Sequence, residues 1–287
     1  MDGSIAHIGF GEAGMAFARP GARAYDRSTD DGAMRDAKRA DYVACRVVGC
    51  ADATEALAGV DAVLSLVTAD QSLAAARTAA PLLKPGAIWF DMNSVAPDTK
   101  RQAADAIEAA GGRHVDVAVM APVHPRRLGT PLLVAGKYAR AGADALRAMG
   151  FVNVRIVGGD TGAASAIKMI RSVMVKGIEA LTAECLIAAD AAGVTADVLA
   201  SLDVGAPEAG WEARADYNLD RMLVHGRRRA AEMEEVVRTI EALGTGAAMS
   251  RATAERQRAI GSLGVVRPPE GLDGKLGLLR NGKGLAA

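Results

Sequence analysis

Aromatic residues are scarce in this sequence: two tryptophans, four tyrosines and four phenylalanines in 287 positions. Alanine, valine, leucine and methionine must therefore fill the core, and with 50% of the residues hydrophobic they can. Cysteine is scarce too. Cys45, Cys50 and Cys185 are odd in number and make no CxxC pair, which argues against a disulfide framework or a zinc site and for reduced thiols in the cytoplasm. No metal is expected. Charge of one sign is also missing, since 34 basic residues balance 34 acidic ones. A dedicated nucleic-acid binder needs a basic surplus to displace counterions, and a polybasic surface protein needs one to hold anionic lipid. Neither nucleic acid nor membrane is expected as a partner. Long apolar runs are absent: no stretch reaches about 18 apolar residues. The opening MDGSIAHIGFG lacks the basic start and apolar run of a secretory signal. These absences point to a soluble cytoplasmic protein long enough for two domains.

Glycine and short apolar runs, by contrast, are plentiful and ordered. Apolar runs over residues 4–8, 22–25, 43–48, 62–67, 87–90, 114–117, 131–135 and 154–157 alternate with helical patterns at 54–57, 73–83, 97–110 and 141–149. That alternation implies crossover connections and a mainly parallel sheet covered on both faces, an α/β Rossmann domain. After about residue 160 the pattern turns helical, over 163–193, 196–202, 211–224, 227–243 and 246–263. The expected organisation is that Rossmann domain over 1–159, an all-α domain over 160–265 and a flexible tail over 266–287. The helix over 163–193 is apolar over more than one stripe, which predicts a homodimer through the helical domain.

The run Gly9-Phe10-Gly11-Glu12-Ala13-Gly14 is a GxGxxG between an apolar strand and a helix. Gly9 permits the tight turn, Gly11 keeps side chains away from a pyrophosphate, and Gly14 lets the helix approach the strand. The helix start then offers N–H groups to the phosphates. The next strand ends at Asp26-Arg27-Ser28. Asp26 suits the ribose hydroxyls of NAD, whereas Arg27 and Ser28 suit the 2′-phosphate of NADP, so the cofactor is NAD or NADP. Asp26 follows Gly9 by seventeen positions, short of the usual ~20, which predicts a first helix shorter than normal.

With these features the chain resembles the β-hydroxyacid dehydrogenases, the superfamily of 3-hydroxyisobutyrate and 6-phosphogluconate dehydrogenases. The resemblance continues in Asp91-Met92-Asn93-Ser94-Val95-Ala96-Pro97, similar to the family's D-x-S-T-I-x-P, and in Ala121-Pro122-Val123, which opens the family's A-P-V-S-G-G loop. Here His124, Pro125 and Arg126 replace the serine and glycines. Gly162 to Ser172 resembles G-x-G-x-x-x-K-x-x-x-N, the catalytic-lysine helix, with Lys168 as the lysine and Ser172 in place of asparagine. The resemblance implies hydride transfer between a nicotinamide and a small hydroxy acid or related polar alcohol. Lys168 is the implied general acid/base, assisted by Ser172. The nicotinamide is placed near Val67, Thr68 and Asn93, and an anionic substrate near Ser94, Val123, His124 and Arg126. The pattern around Lys168, Arg171, Ser172 and Lys176 is most similar to a poorly characterised branch with a 6-phosphogluconate-dehydrogenase-like C-terminal domain. Its later motif appears as His225-Gly226-Arg227-Arg228-Arg229 with Glu232. His225 and Arg228 then read either as an anion-recognition strip or as part of a face of ion pairs with Glu232. Two alternatives stand beside the dehydrogenase: an imine reductase-like enzyme, and a dinucleotide-binding sensor without turnover.

Overall fold

The computed structural model describes residues 4–204 and 210–281. Eight short strands form one sheet: β1 (Ile5–Ile8), β2 (Arg23–Tyr25), β3 (Val48–Gly49), β4 (Ala62–Ser65), β5 (Ile88–Asp91), β6 (Arg113–Val119), β7 (Leu132–Ala135) and β8 (Val154–Ile156). Their order is β3-β2-β1-β4-β5-β6-β7-β8. Every pairing is parallel except that of β6 with β7. Helical crossovers produce the parallel pairs: α1 (Glu12–Ala16), α2 (Arg35–Ala44), α3 (Ala53–Leu57), α4 (Ser72–Ala79), α5 (Pro97–Ala109) and α6 (Ala139–Ala148). Strand periodicity decides the two faces. Leu64, Phe90, Val115 and Val134 meet in one apolar layer, and Ala6, Ile8, Val63 and Trp89 in the other. Ile8 pairs with Tyr25 and Ser65, and Ser65 pairs with Asp91. The carboxyl ends of β1, β2, β4 and β5 therefore share one edge, where open parallel sheets hold ligands.

One expected strand is corrected. Residues 43–44 finish α2, and only Val48–Gly49 join the sheet. Arg46 turns the chain with φ +56°, and a Cβ on Gly49 would lie 2.4 Å from the Tyr42 ring. The apolar run thus feeds a helix end and a packed turn. The shortened first helix is observed, as α1 has five residues and is capped at Phe17.

The chain divides into two compact units, Met1–Met169 and Ile170–Ala287. The division falls inside α7 (Ala163–Ala192), not at the glycine turn near residue 160. The second unit is helical: most of α7, then α8 (Thr195–Val204), α9 (Trp211–Ala242), α10 (Ala248–Gly261) and α11 (Leu272–Asn281). Its core joins Leu186 of α7, Leu219 and Leu223 of α9, Ile260 of α10 and Leu272, Leu276 and Leu279 of α11. Two expectations are corrected here. The break expected near Gly226 is absent, because the glycine serves a close crossing: a Cβ on it would lie 2.4 Å from the Gln257 carbonyl oxygen and 2.7 Å from Gly261 Cα. Ten residues of the expected flexible tail form α11, whose Leu272, Leu276 and Leu279 are buried and whose Lys275 and Arg280 pair with Asp216 and Asp190. Residues 282–287 lie outside the described residues. Among those described, no helix is long and apolar enough to cross a membrane.

Candidate active site

The glycine loop leaves β1 at the shared sheet edge. Gly9 has φ +85°, and a Cβ there would lie 2.6 Å from the Leu66 carbonyl oxygen, so both conformation and space demand glycine. Gly14 is nearly as restricted, with a Cβ 3.0 Å from the Gly9 carbonyl oxygen. Gly11 is different. Nothing lies within 4 Å of its Cβ position, so the space above the start of α1 is open. No side chain caps that helix start, and Glu12 and Ala13 form its first turn. This is the cradle a pyrophosphate needs, and the residues fit a dinucleotide.

Asp26 closes the loop from β2. One carboxylate oxygen accepts the Phe10 N–H at 2.6 Å and the other accepts the Ser28 N–H at 2.9 Å. Burial pushes its carboxyl up, but those two amides and the Lys38 ammonium outweigh burial and hold it below the usual carboxylate range. Lys38 also donates to the Phe10 carbonyl at 2.8 Å. Asp26 remains an anion with further lone pairs beside the loop. Arg27, next in sequence, is exposed and bonds Gln71, which lies just after Thr68 beyond β4.

The segment after β5 is pinned from below. Asn93 is buried; its carbonyl accepts the Val67 N–H at 2.8 Å, and its amide lies within 3.0 Å of Ser65 Oγ, Ser72 Oγ and Asp91 Oδ1. The Asn93 side chain, expected at the cofactor, is engaged with the protein and ties the β4 and β5 loops together. Beneath it lies a cluster that sequence reasoning missed. Lys100 of α5 is fully buried and contacts Asp91 Oδ1 at 2.9 Å and Asp116 Oδ1 at 3.6 Å. His114 Nε2 lies 3.5 Å from Asp91 Oδ2. Burial raises the Asp91 carboxyl, yet Lys100 and His114 overcome this and drive it far below its ordinary value. The available signal was spacing, because Lys100 shares a face with the buried Ala103, Ala104 and Ile107.

Above this cluster, Lys168 donates to Ser94 Oγ across 74 positions of sequence. Both are part-buried, so the ammonium sits beside a hydroxyl at the ligand edge of the sheet. Val123 is anchored in the core, and the loop then carries His124 and Arg126 outward, both exposed. Ser172 is buried four residues beyond Lys168 along α7, in the second unit.

In that unit the arginine strip is bound up in pairs. Arg229 donates to both oxygens of buried Glu179, which also accepts from Gln257 at 2.9 Å. Arg228 lies 4.0 Å from Glu232, which in turn accepts from buried Lys176 at 2.7 Å. Burial pulls the Lys176 ammonium down, and Glu232 opposes only part of that. His225 is half-buried on the same helix. The ion-paired reading of this face is the one the contacts favour.

Comparison with known proteins places this geometry. Residues 4–158 match the NAD-binding domain of 6-phosphogluconate dehydrogenase, and residues 189–260 match a domain of unknown function (DUF1932). A conserved hypothetical protein from Sinorhizobium meliloti 1021 is 42% identical over 97% of this chain and 96% of its own, with a TM-score of 0.70. The 3-hydroxyisobutyrate dehydrogenase of Salmonella typhimurium shares the fold at 21% identity, over 96% of this chain and 99% of its own, with a TM-score of 0.69. The Mycobacterium tuberculosis 3-hydroxyisobutyrate dehydrogenase does so at 17%, over 89% and 92%, also with 0.69. No curated protein matches in sequence. The chain belongs to the β-hydroxyacid dehydrogenase superfamily of NAD(P)-dependent oxidoreductases, in a branch whose C-terminal domain has no assigned function. Its cofactor is NAD or NADP.

Proposed function

We propose that this protein transfers hydride between the nicotinamide and a small anionic hydroxy acid or related polar alcohol, with Lys168 handling the proton. The Lys168–Ser94 hydrogen bond carries this reading. A bound nicotinamide supplies the hydride acceptor or donor. A substrate hydroxyl set against the Lys168–Ser94 pair would hydrogen-bond to both groups. In oxidation Lys168 as the neutral amine takes the hydroxyl proton and becomes the ammonium as hydride leaves carbon; in reduction the ammonium returns the proton. Its positive charge also stabilises oxyanion character at the reacting oxygen. Ser94 Oγ orients that oxygen. Ser172, four residues further along α7, is the candidate second hydroxyl. Arg126 and His124, exposed just past Val123, offer charged and polar donors for an acidic group, which a guanidinium grips in two places.

The proposal includes a cytoplasmic homodimer. Exposed Ile170, Met174 and Leu181 on α7 support association through the helical unit, as does a cavity of about 220 Å³ lined by Leu181, Leu186, Leu199, Leu202 and Trp211. Free thiols at Cys45, Cys50 and Cys185 support the compartment.

The test is oxidation of a panel of short hydroxy acids with NAD and with NADP, by the wild type and by Lys168→Met. The variant is expected to lose about a thousandfold in kcat while cofactor affinity changes less than about twofold. Turnover close to wild type in the variant overturns the assignment. Tight cofactor binding by a wild type that turns over no alcohol supports the sensor instead.

A further inference from the structure

Two residues that the proposed chemistry does not use hold the start of α7. Asp116, buried in the middle of β6, accepts the backbone N–H groups of Gly162 at 2.9 Å and Ser165 at 3.3 Å. N–H groups at a helix start have no carbonyl of their own helix to bond, and a carboxylate there also offsets the positive end of the helix dipole. Ser165 Oγ donates to the carbonyl of Val95, the residue next to Ser94. Lys168 lies one turn beyond Ser165 and bonds Ser94 itself. Helix and loop are thus joined twice side by side, Ser165 to Val95 and Lys168 to Ser94.

The surroundings leave this junction little freedom. Gly162 has φ +103°, and a Cβ on it would lie 3.2 Å from the Pro97 carbonyl oxygen, so the helix start is seated against the first turn of α5. Lys100 contacts both Asp116 and Asp91, and Asp91 accepts the Asn93 N–H at 3.1 Å, one residue before Ser94. One buried cluster therefore reaches both partners of the Lys168–Ser94 pair: the helix through Asp116, the loop through Asp91.

We propose that Asp116 and Ser165 are positioning residues that fix the height and direction of the first turn of α7, so that Lys168 Nζ meets Ser94 Oγ. This rests on the reading of Lys168 as the proton-handling group, but it is tested without turnover. The full-length protein is labelled with lysine carrying ¹³C at Cε, and the Lys168 signal is identified by its loss in Lys168→Arg. The signal is followed through a pH titration in wild type, Asp116→Asn, Ser165→Ala and Ser165→Thr.

In Asp116→Asn the Lys168 signal is expected to move toward those of exposed lysines, since the first turn of α7 loses the carboxylate that holds the Gly162 and Ser165 N–H groups. In Ser165→Ala the Lys168 signal moves toward those of exposed lysines, and in Ser165→Thr, which keeps the hydroxyl, it returns. A purely structural role would lower the melting temperature and leave the signal's position unchanged; that result in both variants, with near-ultraviolet circular dichroism still native, overturns the proposal. If Asp116→Asn does not fold, Ser165→Ala decides alone, because it removes one hydroxyl and no charge. Normal turnover by Lys168→Met would sink the catalytic reading and leave this titration result standing.

Discussion

Lys100 Nζ and Asp91 Oδ1 lie 2.9 Å apart, with each side chain about 1% exposed. A charge so completely removed from water persists only when it is paired and hydrogen-bonded. Lys100 also donates to the Asp91 backbone carbonyl, and Asp116 stands 3.6 Å from its ammonium. Lys100→Met would leave two buried aspartates without their cation, so a loss of about 3–5 kcal/mol is expected, measured by urea unfolding. Asp91 sets the acid side of the same cluster. Its folded pKa is depressed, so its contribution is complete above the unfolded value and is lost as pH falls below about 4. Lys100→Met should flatten that acid limb. An unchanged urea midpoint would show that the cluster adds nothing to stability.

His7 also costs stability as pH falls, but through burial of a neutral ring rather than pairing of a charge. It is fully buried in β1, edge-on to Phe10, and neither ring nitrogen has a partner. Burial pushes its pKa down from 6.5 to about 4. Between these values the unfolded chain binds the proton and the folded chain does not, so stability falls as pH drops through this window. His7→Leu removes the linkage. Relative to wild type it should gain about 2 kcal/mol more at pH 5 than at pH 8. Paired urea melts check this, and an equal difference at both pH values would refute it.

The glycine loop separates folding from cofactor binding. Gly11 has open space where a Cβ would stand, and Gly9 has neither the space nor the φ for one. Gly11→Val should therefore keep its melting temperature within a few degrees yet weaken NAD(P) binding by at least about tenfold, since the side chain enters the pyrophosphate space. Gly9→Ala should lower the melting temperature as well, through strain at positive φ. Nucleotide titration beside thermal melts distinguishes the two, and a Gly11→Val protein with unaltered affinity would place the phosphates elsewhere.

β1, β2 and β4 to β8 were legible in the sequence, because each is a short apolar run set between turns and helical stretches. β3 was not legible, since its apolar run is shared by the end of α2 and a packed turn around Tyr42 and Gly49. The glycine loop could be read because its three glycines answer to one local geometry. Lys168 could be read because few lysines sit in so apolar a run, and the family motif marks it. The partners beneath were hidden. Asp116 meets Gly162 across 46 positions, a contact no local pattern records, and Lys100 looks like any charged helix residue until its neighbours on the face are seen to be buried. The same letter also misled at Gly226, where a glycine reads equally as a helix end or as a place for another helix.

Gly226 and Gly261 make that second meaning testable. A Cβ on Gly226 would stand 2.4 Å from the Gln257 carbonyl oxygen, and one on Gly261 would stand 2.4 Å from the Arg227 nitrogen. Both obstacles are backbone, so no side chain can rotate away; α9 and α10 must separate. Alanine is ordinarily the better helix former by about 1 kcal/mol, so if Gly226 only weakened α9, Gly226→Ala would stabilise the protein. The crossing predicts the reverse, a loss of about 2–3 kcal/mol from overpacking. Moving the helices apart should also loosen the Arg229–Glu179–Gln257 contacts that join α7, α9 and α10 near this crossing. Urea unfolding of Gly226→Ala therefore decides between the two roles by the sign of the change.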